Sequence, residues 1–292
     1  MRKEEIVIVC AADNHFAEPL TVMIYSVIKN TNSGTLHFWV LDGGIDICKK
    51  EKLKIIVKET GNQIDFIEVN EKIFEGYLVS ERLTYTAYYR LLIPELLEKS
   101  NIKKAIYLDC DLLLNDDIKK LWEIELEGNV LGAIAETCAG CRYVSSPRAL
   151  KLYKELGIPK NSKYFNSGVL LMDLEEWRRQ EITLKVCKYL TENKEYVIYH
   201  DQDGLNAILW NSWKELPIDW NVMSYIFITE WEHQEVNMEK KLREKIKKYP
   251  KIIHFTGRKK PWKEGCMHPY AALYQQYVRE LNMLFSQCTR RY

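Results

Sequence analysis

The sequence lacks a long apolar run, and this absence sets the first limit on the class of protein. No stretch of the 292 residues approaches the roughly 20 consecutive apolar residues that a membrane-spanning helix requires. The apolar run at residues 6–10 is shorter than the core of a secretory signal peptide, and no small-residue cleavage pattern follows it. We therefore expect a cytoplasmic protein.

An excess of charge of one sign is also missing. The chain has 42 Lys and Arg against 41 Asp and Glu, a formal net charge of +1 at pH 7, which argues against a general binder of polyanions. Residues 238–263 differ, with eleven Lys and Arg against two Glu. This segment is either a solvated helix face or a basic flank for phosphate or an anionic membrane surface. It carries no nucleic-acid recognition motif, so we expect no nucleic-acid partner.

No disulfide framework, repeat, low-complexity segment or Pro/Gly/Ser-rich linker is apparent. The eight cysteines are scattered, several within apolar runs, which is typical of reduced and buried thiols. Cys138 and Cys141 form a single Cys-x-x-Cys pair, and without a second pair we predict that they pack rather than bind zinc.

Apolar runs alternate with helical patterns in the first half of the chain. The predicted strands cover residues 6–11, 36–41, 64–69 and 105–108, and the predicted helices cover residues 20–28, 49–60 and 84–97. This alternation predicts an α/β fold with a mostly parallel sheet flanked by helices. Ligands bind at the carboxyl ends of such strands, so we expect Asp13 and Asp109 to line one crevice.

The second half predicts a smaller, mixed part of the fold. Strands are predicted over residues 130–135, 168–172 and 251–254, and helices over residues 175–189, 204–209, 238–248 and 271–285. The last helix carries an apolar stripe of Leu273, Tyr277, Leu281 and Leu284, which we expect to pack against the domain.

The segment that carries most information is Tyr-Leu-Asp-Cys-Asp at residues 107–111. Asp109 and Asp111 follow a predicted strand and lie two residues apart, so in extended backbone they share one face. Two such carboxylates repel each other unless a cation or proton lies between them. Mg²⁺ and Mn²⁺ suit oxygen ligands of this kind and often bring substrate phosphates. The alternative is that one aspartate caps a turn and the other is solvated.

Five blocks in order resemble the family 8 glycosyltransferases, which include bacterial lipooligosaccharide galactosyltransferases and glycogenin. The blocks are residues 11–14, 107–111, 164–171, 201–203 and 254–262. The resemblance implies a GT-A fold, a nucleotide-sugar-binding α/β domain, over residues 1–265, with a helical extension over residues 266–292.

The resemblance implies a metal site of Asp109, Asp111 and His254, and an imidazole beside two carboxylates favours Mn²⁺, with Mg²⁺ left open. On the residues alone, His254 is more often a partly buried structural histidine. The implied donor-binding set consists of Ala11, Asp13, Asn14, Arg90, Asp109, Cys110, Asp111, Asn166, Gly257 and Lys260.

The resemblance implies tasks for several members of that set. It places the uracil and ribose contacts at Ala11, Asp13 and Asn14, although an Asp or Asn there also suits a helix cap. The resemblance implies that Arg90 reaches the donor sugar or phosphate, whereas the helical pattern alone indicates a surface residue. Gly257 allows close approach of the backbone to the phosphates, and Lys260 faces the diphosphate.

The sugar end of the implied site carries the catalytic residues. The resemblance implies that the sugar hydroxyls are gripped by Asn166, Asp201 and Gln202, and Glu136 falls where relatives carry an acidic sugar-binding residue. Family members retain the anomeric configuration, yet no carboxylate is identifiable as a nucleophile and Gln202 is an uncharged amide. We therefore favour same-face substitution, with Asp201 orienting the sugar and Gln202 beside the reacting carbon.

The expected activity is transfer of galactose or glucose from a UDP-sugar to a glycan or lipid-linked acceptor, with possible peripheral contact at the inner face of the membrane. Self-glucosylation on a tyrosine is a less favoured variant. An inactive UDP-sugar-binding partner of another transferase is the main alternative. A nucleotidyltransferase would need a Gly-rich basic loop, which residues 11–15 lack.

Overall fold

The computed structural model describes residues 5–78, 85–227, 236 and 238–288. Within these ranges, apolar runs form strands and amphipathic segments form helices around them. The strands are β1 Glu5–Ala12, β2 Thr35–Asp42, β3 Gln63–Glu68, β4 Lys104–Leu108, β5 Leu112–Leu114, β6 Leu131–Ala135, β7 Phe165–Asp173, β8 Trp213–Glu215, β9 Val222–Met223 and β10 Ile252–His254. The α-helices are α1 Ala17–Asn30, α2 Ile47–Glu59, α3 Ile93–Leu96, α4 Lys119–Trp122, α5 Leu174–Arg179, α6 Ile182–Glu192, α7 His200–Leu209, α8 Ser224–Phe227, α9 Lys240–Lys248 and α10 Ala271–Cys288.

The main sheet has seven strands in the order β3-β2-β1-β4-β7-β6-β8. In β1 every residue after Glu5 is buried, as expected of a central strand covered on both faces. Parallel pairing joins β3, β2, β1 and β4 and also β6 with β8, whereas β7 runs antiparallel to both of its neighbours. The predicted mostly parallel α/β sheet is confirmed.

Three further strands form a second sheet in the order β5-β10-β9. The chain passes from the first sheet to the second between β4 and β5. In the second sheet β10 pairs antiparallel with β5 and parallel with β9. The residues between β4 and β5 are Asp109, Cys110 and Asp111, so this pair of aspartates lies at the junction of the two sheets.

Two predicted helices are wrong in kind or extent. The segment predicted as a helix over residues 84–97 forms a 3₁₀-helix, Tyr85–Leu92, followed by the short α3; residues 79–84 lie outside the described ranges. Pro94 explains the change, because its ring removes a backbone donor and clashes with the carbonyl four residues earlier. The predicted helix over residues 175–189 is divided into α5 and α6 at Glu181, whose φ is +53°.

Helix α7 begins earlier than predicted, at His200, so Asp201 and Asp203 lie in its first turn. In the basic segment, α9 begins at Lys240, and residues 228–235 before it lie outside the described ranges. The other predicted elements are confirmed within a few residues of their ends.

The C-terminal helix packs on the domain, as the stripe of apolar residues predicted. In α10 both Tyr277 and Leu281 are buried, and the Asn30 side chain of α1 donates to the Tyr277 hydroxyl at 2.9 Å. The division at residues 265 and 266 stays a prediction. No helix in the described ranges is long and apolar enough to cross a bilayer. The cysteines whose side chains are described are free thiols, and Cys138 and Cys141 are buried, as predicted.

A buried histidine packs between the end of α8 and the residue that follows β10. The ring of His268 is 3% exposed and lies edge-on to Phe227 and Phe255, with centroids 4.8 and 4.7 Å apart. Its Nδ1 accepts a hydrogen bond from the Tyr270 amide at 3.1 Å, so the neutral ring carries its proton on Nε2. A second proton would break that bond, and burial lowers the pKa of His268 from 6.5 to about 4.

We predict that His268 contributes to loss of stability in acid. The unfolded chain takes up a proton near pH 6.5 and the folded chain only near pH 4, so stability falls as the pH falls between these values. The full effect corresponds to about 3 kcal/mol. Denaturant titrations from pH 7 to pH 4 should show a shallower loss in His268→Asn, whereas His15→Asn, at an exposed site, should match the wild type. An unchanged slope in His268→Asn contradicts this assignment.

Candidate active site

Three potential metal ligands converge where the two sheets meet. The Asp109 amide donates to the Gly168 carbonyl at 2.9 Å and so continues the pairing of β4 with β7. His254 ends β10 and lies opposite Leu112 of β5, which places it beside Asp111. The His254 Nε2 atom is 3.3 Å from Asp111 Oδ1 and 3.9 Å from Asp109 Oδ2, and one ligand atom from each residue lies within 4.8 Å of the others.

This donor set fits a divalent metal ion. Neighbouring ligands of an octahedral ion with bonds of about 2.1 Å are separated by roughly 3 Å, so the observed spacings need little adjustment. Burial opposes the charged form of Asp111, yet Lys260 and His254 hold its pKa below the ordinary value. The Asp111 carboxylate is therefore charged, as a ligand of a divalent metal ion must be.

Lys260 lies against the same aspartate. Its ammonium pairs with Asp111 Oδ2 and donates to the Phe255 carbonyl at 2.6 Å. The loop between β10 and Lys260 turns at Gly257, whose φ of +82° favours glycine. The structure thus brings the predicted lysine to the edge of the metal-ligand group.

Arg90 lies at the centre of the site and is 5% exposed, so the interpretation as a surface residue is wrong. Its Nη2 is 2.9 Å from Asp109 Oδ1 and its Nε is 3.1 Å from Asp201 Oδ2, and it also donates to the Ser167 carbonyl. Burial would lower the pKa of Arg90, but the carboxylates of Asp109 and Asp201 raise it above its ordinary value. The guanidinium therefore joins the first aspartate to the predicted catalytic pair.

Asn166 has all of its hydrogen-bonding positions engaged by protein groups. Its Oδ1 accepts from the Gly168 amide at 3.0 Å and from Asn221 Nδ2 at 2.9 Å. Its Nδ2 donates to Glu136 Oε1 and to Gln202 Oε1, both at 3.2 Å. An amide offers two donors and two lone pairs, so direct contact with a sugar would have to replace one of these bonds.

The two predicted catalytic residues are held by the same strand. Gln202 Oε1 also accepts from the Ser167 amide at 3.1 Å, and Asp201 Oδ2 accepts from the Ser167 hydroxyl at 2.9 Å. Burial raises the pKa of Asp201, which Arg90 opposes. The Gln202 amide therefore lies beside the Asp201 carboxylate, which is paired with Arg90.

Glu136 follows β6 and joins the same hydrogen-bond network through Asn166. Its Oε2 accepts from the Tyr225 hydroxyl at 2.7 Å, and burial raises the pKa of the carboxyl group. The buried carboxyl is thus tied to the strand that carries Asn166 and to helix α8.

The carboxyl end of β1 lies beside the segment that carries the aspartate pair, because β1 and β4 are neighbours. The Cys110 thiol donates to the Ala11 carbonyl at 3.0 Å. The Asp13 carboxylate accepts from the amides of His15 and Phe16 ahead of α1, and the side chain of Asn14 donates to Asp46 at 2.7 Å. The amides that Asp13 accepts from precede the helix, and the N-cap of α1 is Phe16, without a side-chain cap bond, so the helix-cap interpretation is wrong. Nucleotide contact stays a prediction.

The second Asp-x-Asp pair is bound differently. Asp203 accepts from the Tyr164 hydroxyl and from the amides of Ile198 and Tyr199. These donors hold the first turn of α7 in place, so the Asp203 carboxylate has a structural role.

Sequence reasoning overlooked several residues that complete the site. The Tyr107 hydroxyl donates to Asp109 Oδ1 at 2.9 Å, and Ser167 bonds both Arg90 and Asp201. Gly168 has no room for a side chain, because a Cβ would lie 2.5 Å from His254 Cε1 and 2.7 Å from Asp109 Oδ2. A glycine inside an apolar strand signals such close approach and was the available clue.

We predict that Gly168→Ala disrupts metal binding. The added methyl group would push His254 and Asp109 apart, and Mn²⁺ affinity measured by electron paramagnetic resonance should fall about 10-fold or more. Gly132→Ala in β6 is the matched control, since its Cβ would meet the Leu216 and Leu126 side chains at 2.9 and 3.0 Å, away from the ligands. Equal Mn²⁺ affinity in both variants would contradict the prediction.

The chain belongs to glycosyl transferase family 8, whose model matches residues 7–266. General stress protein A of Bacillus subtilis is 35% identical over 95% of both chains. A lipopolysaccharide 1,2-glucosyltransferase of Escherichia coli K12 is 25% identical over 90% of this chain and 74% of its own length. The protein is thus a member of an enzyme family of glycosyltransferases.

Among solved structures, the galactosyltransferase LgtC in complex with donor and acceptor sugar analogues superposes with a TM-score of 0.79. It is 27% identical, and the match covers 94% of this chain and 96% of LgtC. A second LgtC structure, of an active-site mutant with glutamine replaced by glutamate, is similarly close, with a TM-score of 0.79 and 26% identity over 94% of this chain and 96% of that chain. The GT-A fold expected from the resemblance is confirmed.

Proposed function

We propose that this glycosyltransferase moves galactose or glucose from a UDP-sugar to a glycan or lipid-linked acceptor, with retention of configuration and with a divalent ion, preferentially Mn²⁺. The observation that carries the proposal is the convergence of Asp109, Asp111 and His254 beside Lys260 at the carboxyl end of β4. In an α/β sheet this edge is where ligands bind.

The relatives support the choice of substrates. One is described as a lipopolysaccharide 1,2-glucosyltransferase and LgtC as a galactosyltransferase crystallised with donor and acceptor sugar analogues. We transfer a hexose donor and a glycan or lipid-linked acceptor to this chain on that basis. Galactose and glucose differ at one hydroxyl, so the choice between them is left to experiment.

Cation placement indicates how the leaving group would be stabilised. Asp109, Asp111 and His254 would hold the metal ion, which supplies positive charge to the leaving diphosphate. Lys260 would add a second cation by exchanging its bond to Asp111 for one to a phosphate oxygen. Arg90 stays between Asp109 and Asp201, pairs with both carboxylates and orients them.

Same-face substitution is favoured over a covalent intermediate. Asp201 is held by Arg90 and by the Ser167 hydroxyl, so its carboxylate is already engaged on the protein side. Gln202 accepts two hydrogen bonds through Oε1 and is uncharged, which suits a neighbour of a cationic sugar rather than a nucleophile. The active-site glutamine of LgtC adds support for a role of Gln202.

The proposal is tested by release of UDP from a panel of UDP-sugars, with water as the acceptor and with or without Mn²⁺. We expect Mn²⁺-dependent release from UDP-galactose or UDP-glucose, and none in Asp109→Ala, because the diphosphate would lose its cation. Tight UDP binding without turnover, even with glycan acceptors, would favour the inactive partner protein. Absence of UDP binding would contradict the proposal.

A second prediction separates chemistry from donor binding. Asp201→Ala and Gln202→Ala should lower kcat by roughly 100-fold, because the transition state would lose its orienting and stabilising groups. The Kd for UDP with Mn²⁺ should change less than threefold, because neither side chain belongs to the metal-ligand group. Isothermal titration supplies that control, and normal turnover in either variant contradicts its role.

Peripheral contact with the inner face of a membrane stays a prediction. Helix α9 carries six Lys or Arg residues among its nine, and Tyr249 after it is 63% exposed. This combination suits an anionic lipid surface, and flotation with anionic liposomes at low salt tests it.

A further inference from the structure

Asn221 is a buried amide that connects the metal ligands to the sugar end of the site. It precedes β9, which runs parallel to β10, and it is 0% exposed. Its Oδ1 lies 2.8 Å from His254 Nδ1, and its Nδ2 lies 2.9 Å from Asn166 Oδ1. Its two polar atoms therefore face two different parts of the site.

The direction of each hydrogen bond follows from one backbone donor. The Gly168 amide can only donate, and it lies 3.0 Å from the Asn166 side chain, so the atom that it meets is the oxygen. That oxygen requires Asn221 to present its NH₂ group toward Asn166. The oxygen of Asn221 then faces His254, and an oxygen acceptor requires a proton on His254 Nδ1.

The tautomer of His254 decides whether the site accepts a cation. With the proton on Nδ1, the Nε2 lone pair points to the oxygens of Asp111 and Asp109, at 3.3 and 3.9 Å. The two carboxylates and the Nε2 lone pair, which can all bind a cation, then surround one position. With the proton on Nε2 instead, the imidazole would donate to Asp111, and no nitrogen lone pair would be available there to bind a metal.

We infer that Asn221 is a positioning residue that holds His254 in the Nδ1–H tautomer and couples this ligand to the Asn166–Gln202 amide pair. The inference rests on the proposed function only in taking the three residues as metal ligands. A purely structural role for Asn221, as a satisfied buried amide, would affect folding stability but would not select a tautomer.

Two substitutions test the two hydrogen bonds of the Asn221 side chain separately. Asn221→Leu removes both hydrogen bonds and keeps the branched shape of the side chain. Asn221→Asp retains an oxygen for His254 Nδ1–H but replaces the donor that faces Asn166 with a second acceptor. The second variant therefore keeps the tautomer and loses the link to the sugar end.

The experiment measures imidazole nitrogen shifts by NMR in metal-free protein above neutral pH, and Mn²⁺ affinity by electron paramagnetic resonance. We expect the Nδ1–H tautomer in the wild type and in Asn221→Asp, and the Nε2–H tautomer in Asn221→Leu. Mn²⁺ affinity should fall about 10- to 100-fold in Asn221→Leu and stay at least at the wild-type level in Asn221→Asp. In Asn221→Asp, kcat for the UDP-sugar should fall while UDP affinity is kept.

The wild-type spectrum alone can overturn the inference, even if Asn221→Leu fails to fold. An Nε2–H tautomer in the wild type contradicts it, and so does unchanged Mn²⁺ affinity in folded Asn221→Leu. If the tautomer and Mn²⁺ results are as expected but no UDP-sugar is turned over, the proposed function fails and the assignment of Asn221 stands.

Discussion

The negative charge of Asp109 and Asp111, held where two sheets meet, is the constraint on which the rest of the site depends. Neither carboxylate is more than partly exposed, so each needs a positive partner or a hydrogen-bond donor. Arg90 bonds Asp109 from the side of the main sheet, and Lys260 bonds Asp111 from the loop after β10. His254 lies on the third side, and one ligand atom from each of the three residues lies within 4.8 Å of the others, a spacing at which they could hold one cation.

Supporting this charge requires parts of the chain that are distant in sequence. Strand β7 supplies the carbonyl that anchors Asp109 and the glycine that leaves space for His254. Helix α7 supplies Asp201, the second carboxylate on Arg90. One guanidinium therefore joins the aspartate proposed to hold the metal to the aspartate proposed to orient the sugar. Asn221 makes a second connection through neutral amides. Both connections lie in the buried interior, where hydrogen bonds are strong and geometry is well defined.

The sequence alone predicted the parts that local patterns control. Apolar runs located the parallel strands. The spacing of Asp109 and Asp111 left a cation site and a capped turn both open, and the family resemblance favoured the cation site. Arg90 was harder, because a helical pattern places it on a surface and only Pro94, four residues later, shows that no regular helix can form there. His254 joins the aspartates through the pairing of β5 with β10, which residue patterns do not reveal and which only the family resemblance anticipated. Gly168 and Asn221 act through tertiary contacts, so their roles required the structure.

The most direct test of the central claim is a crystal structure with Mn²⁺ and UDP, with anomalous diffraction recorded at the manganese edge. The account predicts one strong anomalous peak bonded to Asp109, Asp111 and His254 Nε2, with the diphosphate on its open side and Lys260 turned toward a phosphate oxygen. Bound UDP without a manganese peak among these residues, or a peak at Asp201 and Asp203 instead, would contradict it.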